Sequence, residues 1–364
     1  KRQVMDRRSI ITRAGLAGIL AAGAAPAVHA QQALRWRMAS SFPKSLDTLF
    51  GTAELFARMV KEMSGGKFEI SVHAGGELMP AMGVVDGVQQ GSVEMAHTAP
   101  YYFFGKNPAF AMGSTIPFGF NSRQMSAWML HGNGRKLMNG LYAQYNMIGL
   151  PGGNTGAQMG GWFRKEIKSV EDFKGLKMRL GGGLVGEVMA KLGAVPQSLP
   201  GGEIYQALEK GTIDAVEWVG PYDDLKLGLN KVAPYYYYPG WWEGCAQVDF
   251  MINDKAYQSL SPENKAIIEA ASGYAHLDMQ AKYDAVNPVA LKQLVGTKTK
   301  LLPFPKPVLD ASYAASLQVY EELGAKSPEW KKIYADYSAF LKDQVLWFRV
   351  AEGGFDRYMA TLKL

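Results

Sequence analysis

The sequence predicts an α/β protein whose two lobes enclose a cleft. Strand-like and helix-like segments alternate with short connections, as in doubly wound sheets. The alternation occurs twice, in residues 31–150 and again in residues 151–250, and long amphipathic helices fill residues 251–364. Two lobes joined by more than one crossing form a hinged cleft, which is a usual place for a small ligand.

Residues 1–30 are predicted to be a twin-arginine-type signal peptide. Arg7 and Arg8 precede an apolar, uncharged run at residues 14–25, and small residues at 28–30 favour cleavage before Gln31. The run is too short to span a membrane. The alternative is an anchor that is never cut. We expect an exported protein of the periplasm.

The charge and the cysteine content exclude two classes of protein. The formal net charge is +6, of which the first 30 residues carry +4 (five Lys or Arg against one Asp), so the remaining chain keeps +2. This is no electrostatic footprint for nucleic acid. Cys245 is the only cysteine, which excludes an intrachain disulfide. Its aromatic neighbours favour a buried, inert thiol over a nucleophile.

The first lobe is predicted to be a β-α-β-α-β unit. Its strands are predicted at residues 34–38, 67–73 and 93–98, and its helices at residues 46–63 and 81–90. Ligands of such sheets lie beyond the carboxyl ends of the strands. Ser40, Ser41 and Tyr101 follow the first and third strands, where a ligand would be in reach.

The second lobe repeats this pattern, and a helical tail follows it. We expect strands at residues 176–180, 195–199 and 213–219, helices at residues 184–192 and 203–210, and a return crossing near Phe250. The tail is predicted to hold helices at residues 261–286, 309–323 and 327–348. Pro288 should kink or end the first of these. The aromatic face of the last helices would pack on the protein itself or on a second subunit.

The strand at residues 176–180 carries a candidate anion site. A planar guanidinium such as that of Arg179 binds a carboxylate with two parallel hydrogen bonds. Asn154 and Gln158, in the loop before this strand, would add neutral donors and acceptors. The alternative is that Arg179 and Lys177, which share one face of the strand, both point into water.

Two acids suggest a cation site or, alternatively, catalysis. Glu217 ends an apolar strand and Glu243 lies among aromatic rings, where a carboxylate needs a cation or good donors. With the amide oxygen of Gln158 they would form an oxygen-only site suited to Na⁺ or Ca²⁺. Each acid could instead pair with a surface Lys or Arg. The best enzyme hypothesis is a glycoside-acting acid pair, Glu217 and Glu243, although Arg179 suits an anion better than a neutral sugar.

Several segments resemble the periplasmic solute-binding proteins of TRAP transporters. Segments 175–179 (GLKMR), 207–215 (ALEKGTIDA) and 217–224 (EWVGPYDD) are similar to that family as a whole. Segments 39–47 (ASSFPKSLD), 151–156 (PGGNTG) and 235–244 (YYYYPGWWEG) look like its 2-oxo-acid- and lactate-binding branch. The resemblance implies a two-lobed periplasmic binding protein fold with a hinged cleft and long C-terminal helices, and a binding protein that is not an enzyme.

The resemblance also implies roles for individual residues. The ligand would be held by Arg179 at its carboxylate, by Asn154 and Tyr101 at its oxygens, and by Phe42 and Trp218 as walls. The cation would be held by Gln158, Glu217, the main-chain oxygen of Trp218, and Glu243. Asp249 would place an extra acid near the cleft.

The sequence therefore predicts capture of a 2-oxo monocarboxylate such as pyruvate, bridged by a cation, for delivery to a TRAP membrane permease. Two glutamates and the ligand carry −3 and Arg179 returns +1, so Na⁺ leaves −1 and Ca²⁺ leaves 0. This count favours Ca²⁺, but the resemblance to 2-oxo-acid binders favours Na⁺, which we predict. A lactate or other 2-hydroxy acid binder with Ca²⁺ is the alternative. In some members of the branch the last helices swap between subunits, which implies a homodimer through the C-terminal helices.

Overall fold

The computed structural model describes residues 33–363, and the predicted signal peptide at residues 1–30 lies outside this range. Two β-sheets with surrounding helices confirm the α/β fold class. The strands are β1 (Leu34–Ser40), β2 (Phe68–His73), β3 (Met95–Thr98), β4 (Met147–Asn154), β5 (Trp162–Phe163), β6 (Lys177–Arg179), β7 (Val195–Gln197), β8 (Ala215–Val216), β9 (Tyr235–Tyr238), β10 (Gln247–Asn253) and β11 (Lys300–Pro303). The helices are α1 (Leu49–Met63), α2 (Val84–Gln89), α3 (Ser122–His131), α4 (Gly134–Tyr142), α5 (Gly183–Lys191), α6 (Ile204–Glu209), α7 (Pro221–Leu227), α8 (Asp254–Gln258), α9 (Pro262–Val295), α10 (Lys306–Lys326), α11 (Pro328–Val350) and α12 (Glu352–Met359).

The first sheet has the strand order β2-β1-β3-β10-β4. Strand β1 is parallel to β2 and β3, as the helical connections between them require. Strand β10 is antiparallel to β3 and β4. The chain leaves this sheet after Asn154 and returns to it at Gln247, so β4 and β10 are the two crossings nearest the cleft.

The second sheet has the order β11-β9-β5-β8-β6-β7. Strand β6 is parallel to both of its neighbours, β7 and β8, and Arg179 lies beside Val216 in the register. The residue after Val216 is Glu217, whose N–H donates to the main-chain oxygen of Arg179 at 3.2 Å. Arg179 and Glu217 are therefore placed together at the carboxyl edge of two parallel strands.

The long helix α9 joins the two halves of the molecule. It packs on α1 and β4 of the first lobe and on α7 of the second. Pro288 was expected to kink or end this helix, but the helix continues to Val295. Ala290 and Leu294, beyond the proline, are buried. We attribute the continuation to this packing, which offsets the hydrogen bond that proline cannot make.

The core next to the cleft draws on both lobes. Phe42 and Leu49 from the first lobe pack in one buried cluster with Trp218 and Val219 from the second and with Val248 from β10. An apolar wall thus runs continuously from one lobe to the other. In the described chain, residues 33–363, no helix is both long and apolar enough to cross a membrane.

Candidate functional site

Arg179 does not point into water, because only 1% of its side chain is exposed, whereas Lys177 is exposed. Its Nε donates to the main-chain oxygen of Leu199 at 3.0 Å. Its Nη1 donates to the main-chain oxygen and to Oε1 of Glu217, both at 2.7 Å. The indole of Trp218 lies against the guanidinium, with the ring centre 4.8 Å from Cζ. These contacts hold the guanidinium in one orientation.

The same contacts leave one nitrogen of Arg179 available. Within residues 33–363, Nη2 is buried and has no hydrogen-bond partner. A buried N–H of a guanidinium that lacks an acceptor is costly, so such groups normally have a partner. We call a buried polar atom with no partner among residues 33–363 an unpartnered atom. Nη2 is therefore an unpartnered donor, and the carboxylate of a bound acid would supply the negatively charged acceptor that it lacks.

A second donor among the predicted ligand residues, the amide of Asn154, is also unpartnered. Asn154 ends β4, and its Oδ1 accepts from the N–H of Gly156 at 2.9 Å, which sets the orientation of the amide. Its Nδ2 is then left without an acceptor in the described part of the chain. The indole N–H of Trp218 lies within reach of the carboxylate of Asp223 instead. Asn154 and Arg179 therefore offer N–H groups to oxygens that residues 33–363 do not supply.

Three acceptors are unpartnered in the same region. Gln158 donates from Nε2 to Oγ1 of Thr155 at 3.2 Å, which leaves its Oε1 free of partners among residues 33–363. The Oε2 atoms of Glu217 and Glu243 are likewise unpartnered. Main-chain bonds join the loops that carry two of these residues, since the N–H of Gln158 donates to the oxygen of Glu243 at 3.1 Å.

Burial makes the two carboxylates costly. It raises the pKa of Glu217 to about 7, and the charge of Arg179 offsets only part of this rise. Burial, together with the repulsion of Glu217, raises the pKa of Glu243 well above its usual value. A cation between them would reverse this repulsion and hold both groups ionised.

The three acceptors suit one particular class of cation. Two carboxylate oxygens and an amide oxygen are hard ligands, of the kind that Na⁺ and Ca²⁺ prefer over zinc or copper. No group of three or more His, Cys, Asp or Glu side chains that could hold a metal ion occurs in residues 33–363. A cation at this site would therefore need the neutral oxygen of Gln158 and further oxygens from the main chain or from a ligand.

A small cavity of about 20 Å³ lies between the lobes at this position. This space is close to that of a single water molecule, so the structure has a closed cleft. Its lining includes five of the six predicted ligand residues, namely Phe42, Tyr101, Gln158, Arg179 and Trp218, but not Asn154. The rest of the lining is Leu49, Ala99, Tyr102, Thr155, Val219, Ala246 and Val248.

Tyr101 crosses from the first lobe onto the glycines that follow Arg179. A Cβ on Gly182 would lie 2.3 Å from the Tyr101 ring, and one on Gly181 would lie 2.6 Å from the Tyr101 hydroxyl and 3.0 Å from Oε1 of Glu217. The absence of side chains at these glycines lets Tyr101 approach the Arg179–Glu217 pair. Ser40 and Ser41 have structural roles instead: Ser40 accepts from the N–H of Phe42, and Ser41 bonds to Thr98.

Two residues near the site have other partners. Asp249 accepts from Tyr142 at 3.2 Å and from Gln247 at 2.9 Å, and it is not part of the cavity lining. Cys245 is fully buried, and burial raises the pKa of its thiol to about 12, which fits an inert cysteine. Sequence reasoning missed Leu49, which it assigned to a helix core, and Tyr102, whose position next to Tyr101 after β3 was the available signal.

Comparison with known proteins places the chain in a group of transport proteins. A family described as "Bacterial extracellular solute-binding protein, family 7" (DctP) matches residues 39–327. The chain is 48% identical over 328 residues to a monocarboxylate 2-oxoacid-binding periplasmic protein of Nostoc sp. (strain PCC 7120), with 90% of each chain covered.

Solved structures with high similarity agree. A TRAP transporter solute-binding protein from Bordetella bronchiseptica RB50 is 50% identical with a TM-score of 0.89, covering 90% of this chain and 97% of that one. It is described as a mixed-occupancy dimer with calcium and picolinate in one active site. A TRAP periplasmic solute-binding protein from Pseudoalteromonas atlantica T6c, with bound sodium and pyruvate, is 40% identical with a TM-score of 0.86 and covers 91% and 100% of the two chains.

Proposed function

The chain belongs to family 7 of the bacterial extracellular solute-binding proteins, the DctP family of TRAP transporters, and from this premise we propose that it captures a short 2-oxo monocarboxylate such as pyruvate. It acts in the periplasm and delivers the acid to TRAP membrane permease subunits. Because the family is one of binding proteins, the chain is not an enzyme, and the glycoside-acting alternative for Glu217 and Glu243 is wrong.

One observation carries the proposal: the unpartnered atoms divide by chemical type. Arg179 and Asn154 contribute donors, while Gln158, Glu217 and Glu243 contribute acceptors. The donors match the carboxylate and keto oxygens of a 2-oxo acid, and the acceptors match a hard cation. An anionic ligand and a cation bound side by side would satisfy both sets at once.

Glu217 connects the two halves of this site. Its Oε1 accepts from Arg179, and its Oε2 is unpartnered. The carboxylate can therefore neutralise the guanidinium on one side and bind the cation on the other. The main-chain oxygen of Trp218, the next residue, completes the proposed ligand set together with Gln158 and Glu243. Tyr101 adds a hydroxyl donor, and Phe42 covers the acid from the other lobe.

We propose Na⁺ as the bound cation. The relative from Pseudoalteromonas atlantica has sodium with pyruvate, and the one from Bordetella bronchiseptica has calcium with picolinate, so the same family accommodates both ions. Two glutamates and one monocarboxylate against Arg179 leave a charge of −1 with Na⁺ and 0 with Ca²⁺. Calcium, with lactate or another 2-hydroxy acid, is therefore the alternative that the experiment must separate.

The C-terminal helices would form a homodimer. Large apolar side chains lie exposed on α11 and α12: Leu346, Trp347, Val350, Phe355 and Tyr358 are 57–70% exposed. Such a concentration on consecutive helical turns is typical of an interaction surface. Sedimentation velocity of the protein and of Trp347→Glu tests this: the variant should sediment as a monomer, and a monomeric parent protein would contradict the proposal.

The function is tested by calorimetric and fluorescence titration of the chelator-treated protein. The ligands are pyruvate, 2-oxobutanoate, lactate and a neutral disaccharide, each without added cation, with Na⁺ and with Ca²⁺. Trp218 lines the cavity and should report closure. Saturable binding of the 2-oxo acids with Na⁺ is expected. Preference for lactate with Ca²⁺ would favour the alternative, and no response to any acid would reject the proposed function.

A further inference from the structure

Leu49 lines the predicted ligand cavity and also packs against residues of the opposite lobe. It is the first residue of α1, is 2% exposed, and lines the cavity between the lobes. Of the residues that line this cavity, Arg179 alone is charged, and the non-aromatic remainder includes Ala99, Val219 and Val248. Beyond its acid group, a ligand therefore meets walls that are mostly aromatic and aliphatic, and no second cation.

Contacts across the cleft hold Leu49 in place. The hydroxyl of Thr48 donates to Oδ1 of Asp223 on α7 at 2.7 Å, and both residues are buried. Asp47 accepts from Tyr222 at 3.1 Å, also on α7, and forms an ion pair with Lys226. The two residues that immediately precede Leu49 are thus tied to the other lobe.

The helix α9 adds a third attachment. Lys282 donates to the main-chain oxygen of Asp47 at 2.6 Å and forms an ion pair with its carboxylate at 2.7 Å. Tyr283 donates to Oδ2 of Asp223 at 2.7 Å, so Thr48 and Tyr283 share one buried acid. The start of α1 cannot move away from the cavity unless these bonds break.

We propose that Leu49 sets the chain length of the acid that the cleft accepts, and that Asp47 and Thr48 hold it against the bound acid by tying α1 to the opposite lobe. The proposal rests on the proposed function, since it concerns the same acid site. One methylene in an apolar pocket changes affinity by about tenfold or more. The side chain of Leu49 has more than the volume of one methylene, so its presence would be enough to favour pyruvate over its longer homologues.

The test measures the affinities of pyruvate, 2-oxobutanoate and 2-oxopentanoate by calorimetry for the parent protein, Leu49→Ala and Leu49→Val. We expect the ratio of 2-oxopentanoate affinity to pyruvate affinity to rise by about tenfold or more in Leu49→Ala, and by less in Leu49→Val. Leu46→Ala is the matched control, because Leu46 is buried in the same cluster but does not line the cavity. Its ratio should not change.

The result that overturns the role of Leu49 is a ratio that stays constant in Leu49→Val and Leu49→Ala while the parent protein binds the acids. If Leu49→Ala does not fold, Leu49→Val decides. If the parent protein binds none of the acids, the proposed function fails instead, so the two failures are distinguishable.

The holding role is tested separately with Asp47→Asn. This variant should weaken all three acids by a similar factor, roughly two- to fivefold for a partly exposed ion pair, and leave their ratio unchanged. Asp86→Asn is the control, because Asp86 pairs with Lys106 within the first lobe. Equal affinities in the two variants would overturn the role of Asp47.

Discussion

Two pairs of buried carboxyl groups in this protein have opposite surroundings. Glu217, Glu243, Asp223 and Asp224 are all at most 1% exposed, and burial raises the pKa of each. Asp223 accepts from Thr48 and Tyr283, and Asp224 accepts from the indole of Trp162 at 3.0 Å and from Tyr236 at 2.6 Å. The aspartates are thus supplied with neutral donors from within the protein.

The glutamates are supplied less completely. Glu217 accepts from the cationic Arg179 at 2.7 Å and the hydroxyl of Tyr101 lies within hydrogen-bond reach of Glu243, but each glutamate keeps an unpartnered Oε2. The pairs therefore differ in their donors and not in burial. Asp224 has an unpartnered Oδ1 as well, but its other oxygen accepts from two neutral donors, and the one unpartnered guanidinium nitrogen within residues 33–363 belongs to Arg179. A ligand site among buried acids is thus marked by several unpartnered atoms, both donors and acceptors.

Arg179→Ala should have the largest effect, because it removes the charge that the ligand carboxylate needs. Breaking a buried charge pair costs about 3–5 kcal/mol, which corresponds to a loss of affinity of about a thousandfold. Calorimetric titration with pyruvate in the presence of Na⁺ measures this loss. Glu217 loses its cationic partner in the same variant, which adds to the effect.

Arg164→Ala is the matched control for this prediction. Arg164 follows β5 of the same sheet and donates to the main-chain oxygen of Leu208, but it does not line the cavity. The affinity of Arg164→Ala for pyruvate should equal that of the parent protein. Micromolar binding in Arg179→Ala would show that the carboxylate is held elsewhere.

The sequence predicted which side chains could form this site, but it did not predict which of them contact each other. The guanidinium of Arg179, the ring-surrounded Glu243 and the amides of Asn154 and Gln158 were visible as chemistry, and the resemblance assigned their roles. The contact of Arg179 with Glu217 depends on β6 and β8 being neighbours, which is a property of the sheet order. The orientation of the Gln158 amide depends on Thr155, three residues earlier, and no spacing rule predicts it.

Asn154→Asp should lower pyruvate affinity by about one hundredfold. The aspartate keeps the oxygen that accepts from Gly156 but replaces the unpartnered Nδ2 donor with a carboxylate oxygen. A second acceptor facing the ligand adds repulsion to a lost hydrogen bond, and hydrogen bonds to charged groups contribute about 1.5–3 kcal/mol. Calorimetry with pyruvate and Na⁺ measures the change.

Asn139→Asp is the control for this substitution. Both groups of the Asn139 amide bond to the main chain of Gly149, outside the cavity. It should lower the melting temperature without lowering pyruvate affinity. Equal affinities in Asn154→Asp and the parent protein would mean that Asn154 does not contact the acid.

Glu243→Gln should lower affinity by about tenfold and reduce its dependence on the cation. The amide keeps one oxygen and the shape of the side chain, so the loss comes from the charge that attracts the ion. The measurement is pyruvate affinity across a series of Na⁺ concentrations, and again with Ca²⁺. Glu187→Gln on the exposed surface of α5 serves as the control. An unaltered cation response would remove Glu243 from the cation site.

The errors in the predicted fold, like those in the predicted site, come from tertiary contacts that the local sequence does not show. Apolar periodicity located β1, β2, β3, β6 and β7 and the longer helices, but it gave no strand at β4, β5, β9 or β10. Strand β8 has two residues where a longer strand was expected, at residues 213–219. Helix α9 passes through Pro288 because of the burial of Ala290 and Leu294, which is tertiary packing. Leu49 belonged to a correct helix and was still missed as a site residue, since the periodicity of a helix does not show which lobe its first turn will face.

Asp224→Asn should have the smallest effect on binding and should act on stability instead. In the folded protein the pKa of Asp224 is raised from 3.8 to about 7, chiefly by burial. The unfolded chain therefore loses this proton at lower pH than the folded one, and stability falls as the pH rises from about 4 to about 7. Asparagine does not titrate, so the variant lacks this pH dependence.

The melting temperature of Asp224→Asn, relative to that of the parent protein, should rise by a few degrees between pH 5 and pH 8, while its pyruvate affinity stays unchanged. Asp310→Asn, at an exposed position of α10, should show no such trend. A difference in melting temperature that is constant with pH would mean that Asp224 is not the titrating acid, and a loss of affinity would remove the distinction between the two carboxyl pairs.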